Sequence, residues 1–191
     1  MKMKNPITLF AMLISLCAAA QDTALHKGAN EWGFQTGGGF SIVGGVRSHS
    51  YWLLAGRYSR VLTGELGRGA LRGNLQYGVE AIPAMIVNQS TLVSAGGFSP
   101  LQLRYNFIAP KRVKPFIEIG GAMIGSSQQV PEGTSRFNFM SGGGVGLQVF
   151  NAKALAWQLG VRFQHISNAG IAQRNPGINS LYFFTGVSGW R

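Results

Sequence analysis

The chain has 191 residues, with 28 Gly, a single Cys and 17 Lys plus Arg against six Asp plus Glu, for a formal net charge of +11. One Cys excludes a disulfide scaffold and a cysteine-rich zinc site, and the three scattered His have no ligand spacing, so no metal and no cofactor is expected. Charged residues make up 12% of the chain, about half the usual ~25%, which is too little to clothe a soluble surface, while the ordinary apolar share of 46% excludes disorder.

Lys2 and Lys4 come first, then an apolar run from Ile7 to Leu16, then Cys17, Ala18, Ala19 and Ala20. This is the layout of a secretory signal over residues 1–20, and the run is shorter than the ~20 residues a spanning helix needs. The expected exported domain is residues 21–191, which contain no cysteine.

Beyond that segment no apolar run approaches a spanning helix, and alternation with a period of two takes over. Leu75, Tyr77, Val79 and Ala81 oppose Asn74, Gln76, Gly78 and Glu80. Leu101, Leu103, Tyr105 and Phe107 oppose Gln102, Arg104 and Asn106 in the same way. Strands are predicted at 32–41, 51–62, 73–83, 96–107, 113–124, 137–150, 153–166 and 178–190. Segments near ten residues match a strand tilted across a bilayer. The turns after 107 and 150 are short, whereas 86–95, 125–136 and 167–177 are longer and polar, as when the long loops share one side of a membrane.

A soluble sandwich or ligand-binding barrel would need a charged exterior that this composition does not supply. The predicted fold class is therefore all-β: an eight-stranded antiparallel transmembrane β-barrel in the outer membrane. Arg104, Arg162, Glu80, Glu118 and several Gln would share its polar interior, charges of opposite sign pairing there. Glycine runs such as 142–144 inside strands relieve crowding and let the sheet curl. None has the Lys-Ser/Thr ending of a phosphate loop.

The seventh predicted strand carries the chemistry. Leu155, Trp157, Leu159, Val161 and Phe163 form its oily face, and the same parity continues to His165 and Ser167. A histidine and a serine on a lipid-facing surface are hard to justify as packing. Side by side, they suit nucleophilic acyl transfer, with His165 taking the proton of Ser167 and the hydroxyl oxygen attacking a membrane ester. A strand end carrying an innocuous pair is the bland alternative.

His165-Ile166-Ser167-Asn168-Ala169-Gly170 and the following Asn175-Pro176-Gly177-Ile178 resemble the lipid A 3-O-deacylases, the PagL-like outer-membrane esterases. The resemblance implies hydrolysis of the 3-O-linked acyl chain of lipid A, with Ser167 as nucleophile and His165 as base. It makes Asn168 and the Gly170 amide candidates for holding the oxyanion. Family members carry a glutamate shortly after the Pro-Gly-Ile turn, where this chain has Asn179, an amide that can orient imidazole but cannot offset its positive charge.

Arg47, Arg136 and Arg174 are candidate contacts for lipopolysaccharide phosphates, and each is equally readable as a solvated loop charge. The expected partners are lipid A in the membrane and, as a further candidate, a second copy of the chain. Nucleic acid is excluded by export and by the lack of a basic cluster interleaved with aromatics. Trp32, Trp52, Trp157 and Trp190 read as interface anchors, and His26, His49 and Glu132 as incidental. The alternative to an esterase is a catalytically weak or silent barrel with a lipopolysaccharide-binding or structural role; a pore is disfavoured because side chains fill so narrow a cylinder.

Overall fold

The structure is a computed structural model that describes residues 25–109, 112–151 and 154–191; the expected signal at 1–20 lies outside the described residues. Eight strands follow one another: β1 (Asn30–Ser41), β2 (Ser50–Val61), β3 (Gly73–Asn88), β4 (Leu92–Phe107), β5 (Val113–Ser126), β6 (Phe137–Phe150), β7 (Leu155–Ser167) and β8 (Ile178–Trp190). Each pairs antiparallel with the next, and β8 returns to β1 from Glu31↔Trp190 to Ser41↔Ser180, closing the barrel. The expected eight-stranded antiparallel barrel is the observed one.

The largest departure concerns the expected loop at 86–95. It is strand: Ile86 pairs with Ser94, Val87 with Val93 and Asn88 with Leu92, leaving only residues 89–91 as a turn. The register shifts between Ile82 and Met85, so that Ile82 and Met85 both point inward and the period of two is interrupted. An irregularity of this kind hides a continuous strand from a reading based on alternation.

Closure inverts the soluble arrangement of faces. Trp32, Phe34, Trp157, Leu159, Phe163 and Phe183 are exposed on the outside, while polar side chains are buried within. At the centre of the lumen lie Glu31, Glu80 and Glu118 with Arg57, Arg104 and Arg162. Glu118 touches all three guanidinium groups, at 3.2 Å to Arg57, 2.9 Å to Arg104 and 2.7 Å to Arg162. Arg162 also reaches Glu80 at 3.1 Å, and Arg104 lies 4.0 Å from the centroid of the Phe116 ring. Gly160 makes room for the aromatic layer here, since a Cβ on it would stand 2.6 Å from Cζ of Phe184.

The lumen is not polar throughout. Tyr51, Leu53, Ile82, Met85, Val93, Ile124, Met140, Ile166, Ile178 and Tyr182 form an apolar cluster towards the end that carries the β1–β2, β3–β4, β5–β6 and β7–β8 connections. At the opposite end Trp190 is 7% exposed and packs against Phe150, with ring centroids 5.7 Å apart, beside Ala29, Val61 and Ala156. Trp190 thus plugs the lumen instead of joining the outer girdle expected for it. Its position on β8 has inward parity, which the aromatic content of the strand concealed.

The ion cluster yields a first prediction. Glu118→Gln leaves three buried guanidinium groups facing two carboxylates, and breaking such a set costs about 3–5 kcal/mol. The urea midpoint of the folded barrel, read from the heat-sensitive mobility of the folded band, is expected to fall accordingly. An unchanged midpoint would mean that the cluster does not support the barrel.

Candidate active site

β7 ends and β8 begins at the rim opposite Asn30 and Trp190. Within that rim the register sets Ser167 opposite Phe139, and His165 between Ser141 of β6 and Asn179 of β8. His165 and Ser167 lie on the outward row, because their neighbours Gln164 and Ile166 are buried on the inward one. His165 is half-buried, whereas Ser167 is only 9% exposed. Among the described residues no hydrogen bond joins the Ser167 hydroxyl to the imidazole, so the two are strand neighbours without direct contact of that kind.

The contact that is formed links histidine to asparagine. His165 Nδ1 lies 2.6 Å from Oδ1 of Asn179, and Nδ2 of Asn179 donates to the Gly44 carbonyl at 2.7 Å and to the Val43 carbonyl at 3.5 Å. Two carbonyls on one side require the amide NH2 there, which turns Oδ1 towards the ring. The ring must then carry its proton on Nδ1 and keep the Nε2 lone pair free. The segment 42–49 between β1 and β2 is itself fastened to β8: Ile42 N–H donates to Asn179 O at 2.7 Å and Val46 N–H to Gly177 O at 2.9 Å.

Gly177 has φ +67°, and a Cβ there would stand 2.7 Å from Cε1 of His165, so only glycine lets the chain pass so close to the ring. Neither the Val43 and Gly44 carbonyls nor the Gly177 contact was expected from sequence. The Gly44-Gly45 pair marks a turn, and nothing in a residue name says where a backbone carbonyl will point.

The two oxyanion candidates are bonded to each other. Asn168 is buried, its Oδ1 accepts from the Gly170 amide at 2.9 Å, its Nδ2 donates to the Arg174 carbonyl at 2.8 Å, and its own amide donates to Oδ1 of Asn175 at 3.0 Å. These bonds fold the 168–177 loop and leave one hydrogen of the Asn168 amide uncommitted. Arg47, Arg136 and Arg174 are exposed on three separate connections of this rim. Glu132 is tied elsewhere: the Ser90 hydroxyl and amide both donate to its carboxylate, and these bonds hold its pKa below the usual carboxylate value. Among the described residues no three His, Cys, Asp or Glu converge in a way that could hold a metal ion.

A closed antiparallel cylinder with an apolar exterior and a polar constellation at one rim defines an outer-membrane β-barrel. Residues 37–188 match the family described as lipid A 3-O-deacylase (PagL), and the chain belongs to that family. It is similar to the crystal structure of the outer membrane enzyme PagL, with a TM-score of 0.60 and 24% identity over 82% of this chain and 97% of that one. Neisserial surface protein A (TM-score 0.49, 17% identity, 85% of this chain and 97% of that one) is also similar. So is the outer membrane protein OprG from Pseudomonas aeruginosa (TM-score 0.49, 12% identity, 89% and 99%). No curated protein matches the chain. The chain is thus a lipid A deacylase-like barrel of the outer membrane.

The Asn179 amide makes a spectroscopic prediction. A long-range 1H–15N spectrum of the imidazoles in micelles is expected to show neutral His165 protonated on Nδ1, and Asn179→Leu is expected to abolish that preference. A wild-type ring protonated on Nε2 would contradict the hydrogen-bond network.

Proposed function

We propose that the protein hydrolyses the 3-O-linked acyl ester of lipid A, with Ser167 as nucleophile, His165 as general base and Asn179 as the residue that orients the imidazole. The observation that carries this reading is the 2.6 Å bond from His165 to Asn179 on the outward row, because it engages Nδ1 and leaves Nε2 as a proton acceptor.

Nε2 takes the hydroxyl proton as Oγ of Ser167 bonds to the ester carbonyl carbon, and the carbonyl π pair moves onto oxygen. The free hydrogen of the Asn168 amide is the donor proposed for that oxyanion; the Gly170 amide would have to release Oδ1 of Asn168 to join it. Collapse of the intermediate breaks the ester bond to the sugar oxygen, which takes the proton from Nε2, and the acyl group stays on Ser167. Water then repeats the cycle with His165 as base and frees the fatty acid. Arg47, Arg136 and Arg174 are proposed to bind phosphates of the same lipid.

Asn179 does not behave here as a missing glutamate. A carboxylate at 179 would face the Gly44 and Val43 carbonyls, to which Nδ2 now donates, and would meet repulsion in place of two hydrogen bonds. The amide and the 42–49 segment are matched to one another.

A second reading, a barrel that binds lipopolysaccharide without turnover, is favoured by the lack of a His165–Ser167 hydrogen bond and by the uncompensated imidazolium that an amide implies. Lipid A mass spectrometry after expression in a Gram-negative host separates the two. Loss of one hydroxyacyl group is expected with the wild type, and a drop in rate of at least about 10³-fold in Ser167→Ala and His165→Ala. Deacylation that persists in both variants would remove the dyad, and an inert wild type would leave the binding reading. Asn179→Glu is expected to lower the rate. Replacing Arg47, Arg136 or Arg174 by Gln is expected to raise KM about 2- to 5-fold with kcat unchanged, the scale of an exposed ion pair.

A further inference from the structure

The rim where β1 begins and β8 ends has one connection out of proportion to the rest. The connections from β4 to β5 and from β6 to β7 are only five and four residues long, whereas residues 62–72 form a folded excursion with a short 3-10 turn at Gly69–Leu71. It is fastened to the outside of the barrel, not across the lumen. Leu66 and Gly73 exchange backbone hydrogen bonds at 2.7 and 3.0 Å, and the Tyr105 hydroxyl, on the outward row of β4, donates to the Leu71 carbonyl at 2.7 Å. The excursion therefore sits at the level where lipid meets the barrel wall.

Its composition suits that level. Leu62, Leu66 and Leu71 are 44%, 44% and 69% exposed, with none of the described residues covering them. Arg60 on the outward face of β2 and Arg68 in the excursion are exposed, and neither has an acidic partner among the described residues. The local carboxylate, Glu65, is taken by Arg72. Apolar side chains interleaved with unpaired arginines on one short surface element are the pattern of a segment lying in a headgroup layer. Outward aromatics flank the same rim, with the Trp32 and Tyr58 rings tilted against each other at a centroid separation of 4.4 Å.

We propose that residues 62–72 form a monotopic foot on the periplasmic leaflet, with Leu62, Leu66 and Leu71 entering the acyl boundary and Arg60 and Arg68 binding the phosphates of anionic phospholipids. The inference is independent of the chemistry at the other rim. It fixes the height of the barrel in the bilayer from below.

The test uses the full barrel in vesicles of phosphatidylcholine with phosphatidylglycerol, in a Cys17→Ser background so that a nitroxide can be placed at Leu71→Cys and, as a water-exposed reference, at Gln173→Cys. The Leu71 label is expected to be markedly more accessible to oxygen, and less to a water-soluble nickel chelate, than the Gln173 label. Spin-labelled phosphatidylglycerol is expected to be enriched at the barrel over phosphatidylcholine, and Arg60→Gln with Arg68→Gln to cut that preference by about 5-fold per arginine at low salt. High salt should erase the difference. All variants are checked for the heat-sensitive mobility of the folded barrel. A Leu71 label as open to the chelate as Gln173 would mean that the excursion faces water and serves a soluble partner or a second copy. That result, or a lipid preference unchanged in the double variant, would overturn the proposal.

Discussion

Pairing of β8 with β1 is the closure on which everything else in the molecule rests. In hydrocarbon an unpaired backbone amide or carbonyl has no water to turn to, and an open sheet would leave two such edges. Once the edges are joined, alternate residues must divide between lipid and lumen. The division sends Phe163, Leu159 and Trp157 outward and Arg162, Gln158 and Gln164 inward. It also sets His165 and Ser167 on the outward row, because they continue its parity, although neighbouring groups leave Ser167 only 9% exposed.

The lumen shows how such a cylinder is kept shut. Three acids and three arginines cancel in its middle, where none of them could lie alone at tolerable cost. Above them the aliphatic and tyrosine cluster packs as a core, and below them Trp190 and Phe150 close the end. A filled interior holds the strand ends at the outer rim, His165 and Asn179 among them, in fixed relation.

The two rims are built for different tasks. At the outer one, loops bond to each other and to strand ends: the 42–49 segment to Asn179 and Gly177, and the Ser90 turn to Glu132. Asn179 lies at the junction, bonded to the imidazole on one side and to loop carbonyls on the other. Its chemistry is therefore a property of β8 and the first loop jointly. At the inner rim the excursion at 62–72 leans outward against Tyr105 and presents leucine and arginine where a bilayer has its headgroups.

Much of this was readable from the residues. Eight alternating segments and sparse charge announced a membrane barrel, and the parity of β7 and β8 placed His165 and Asn179 on one face, where they bond. Trp190 was misread because an aromatic at a strand end suits a girdle and a plug equally, and only the inward parity of β8 distinguishes them. The extension of β3 and β4 was hidden by a break in the alternation between Ile82 and Met85, which pairing across the sheet absorbs and a one-dimensional pattern does not. Periodicity and composition are local properties, and they decided the fold, the faces and the residues worth examining. The carbonyls that claim the Asn179 amide, the bonds that occupy Asn168 and Gly170, and the outward placing of residues 62–72 came only with the folded chain. The first joins segments more than a hundred residues apart, Gly44 and Asn179; the second spans only a few residues of one loop; all of them turn on where backbone groups point, and backbone atoms are the same in every residue.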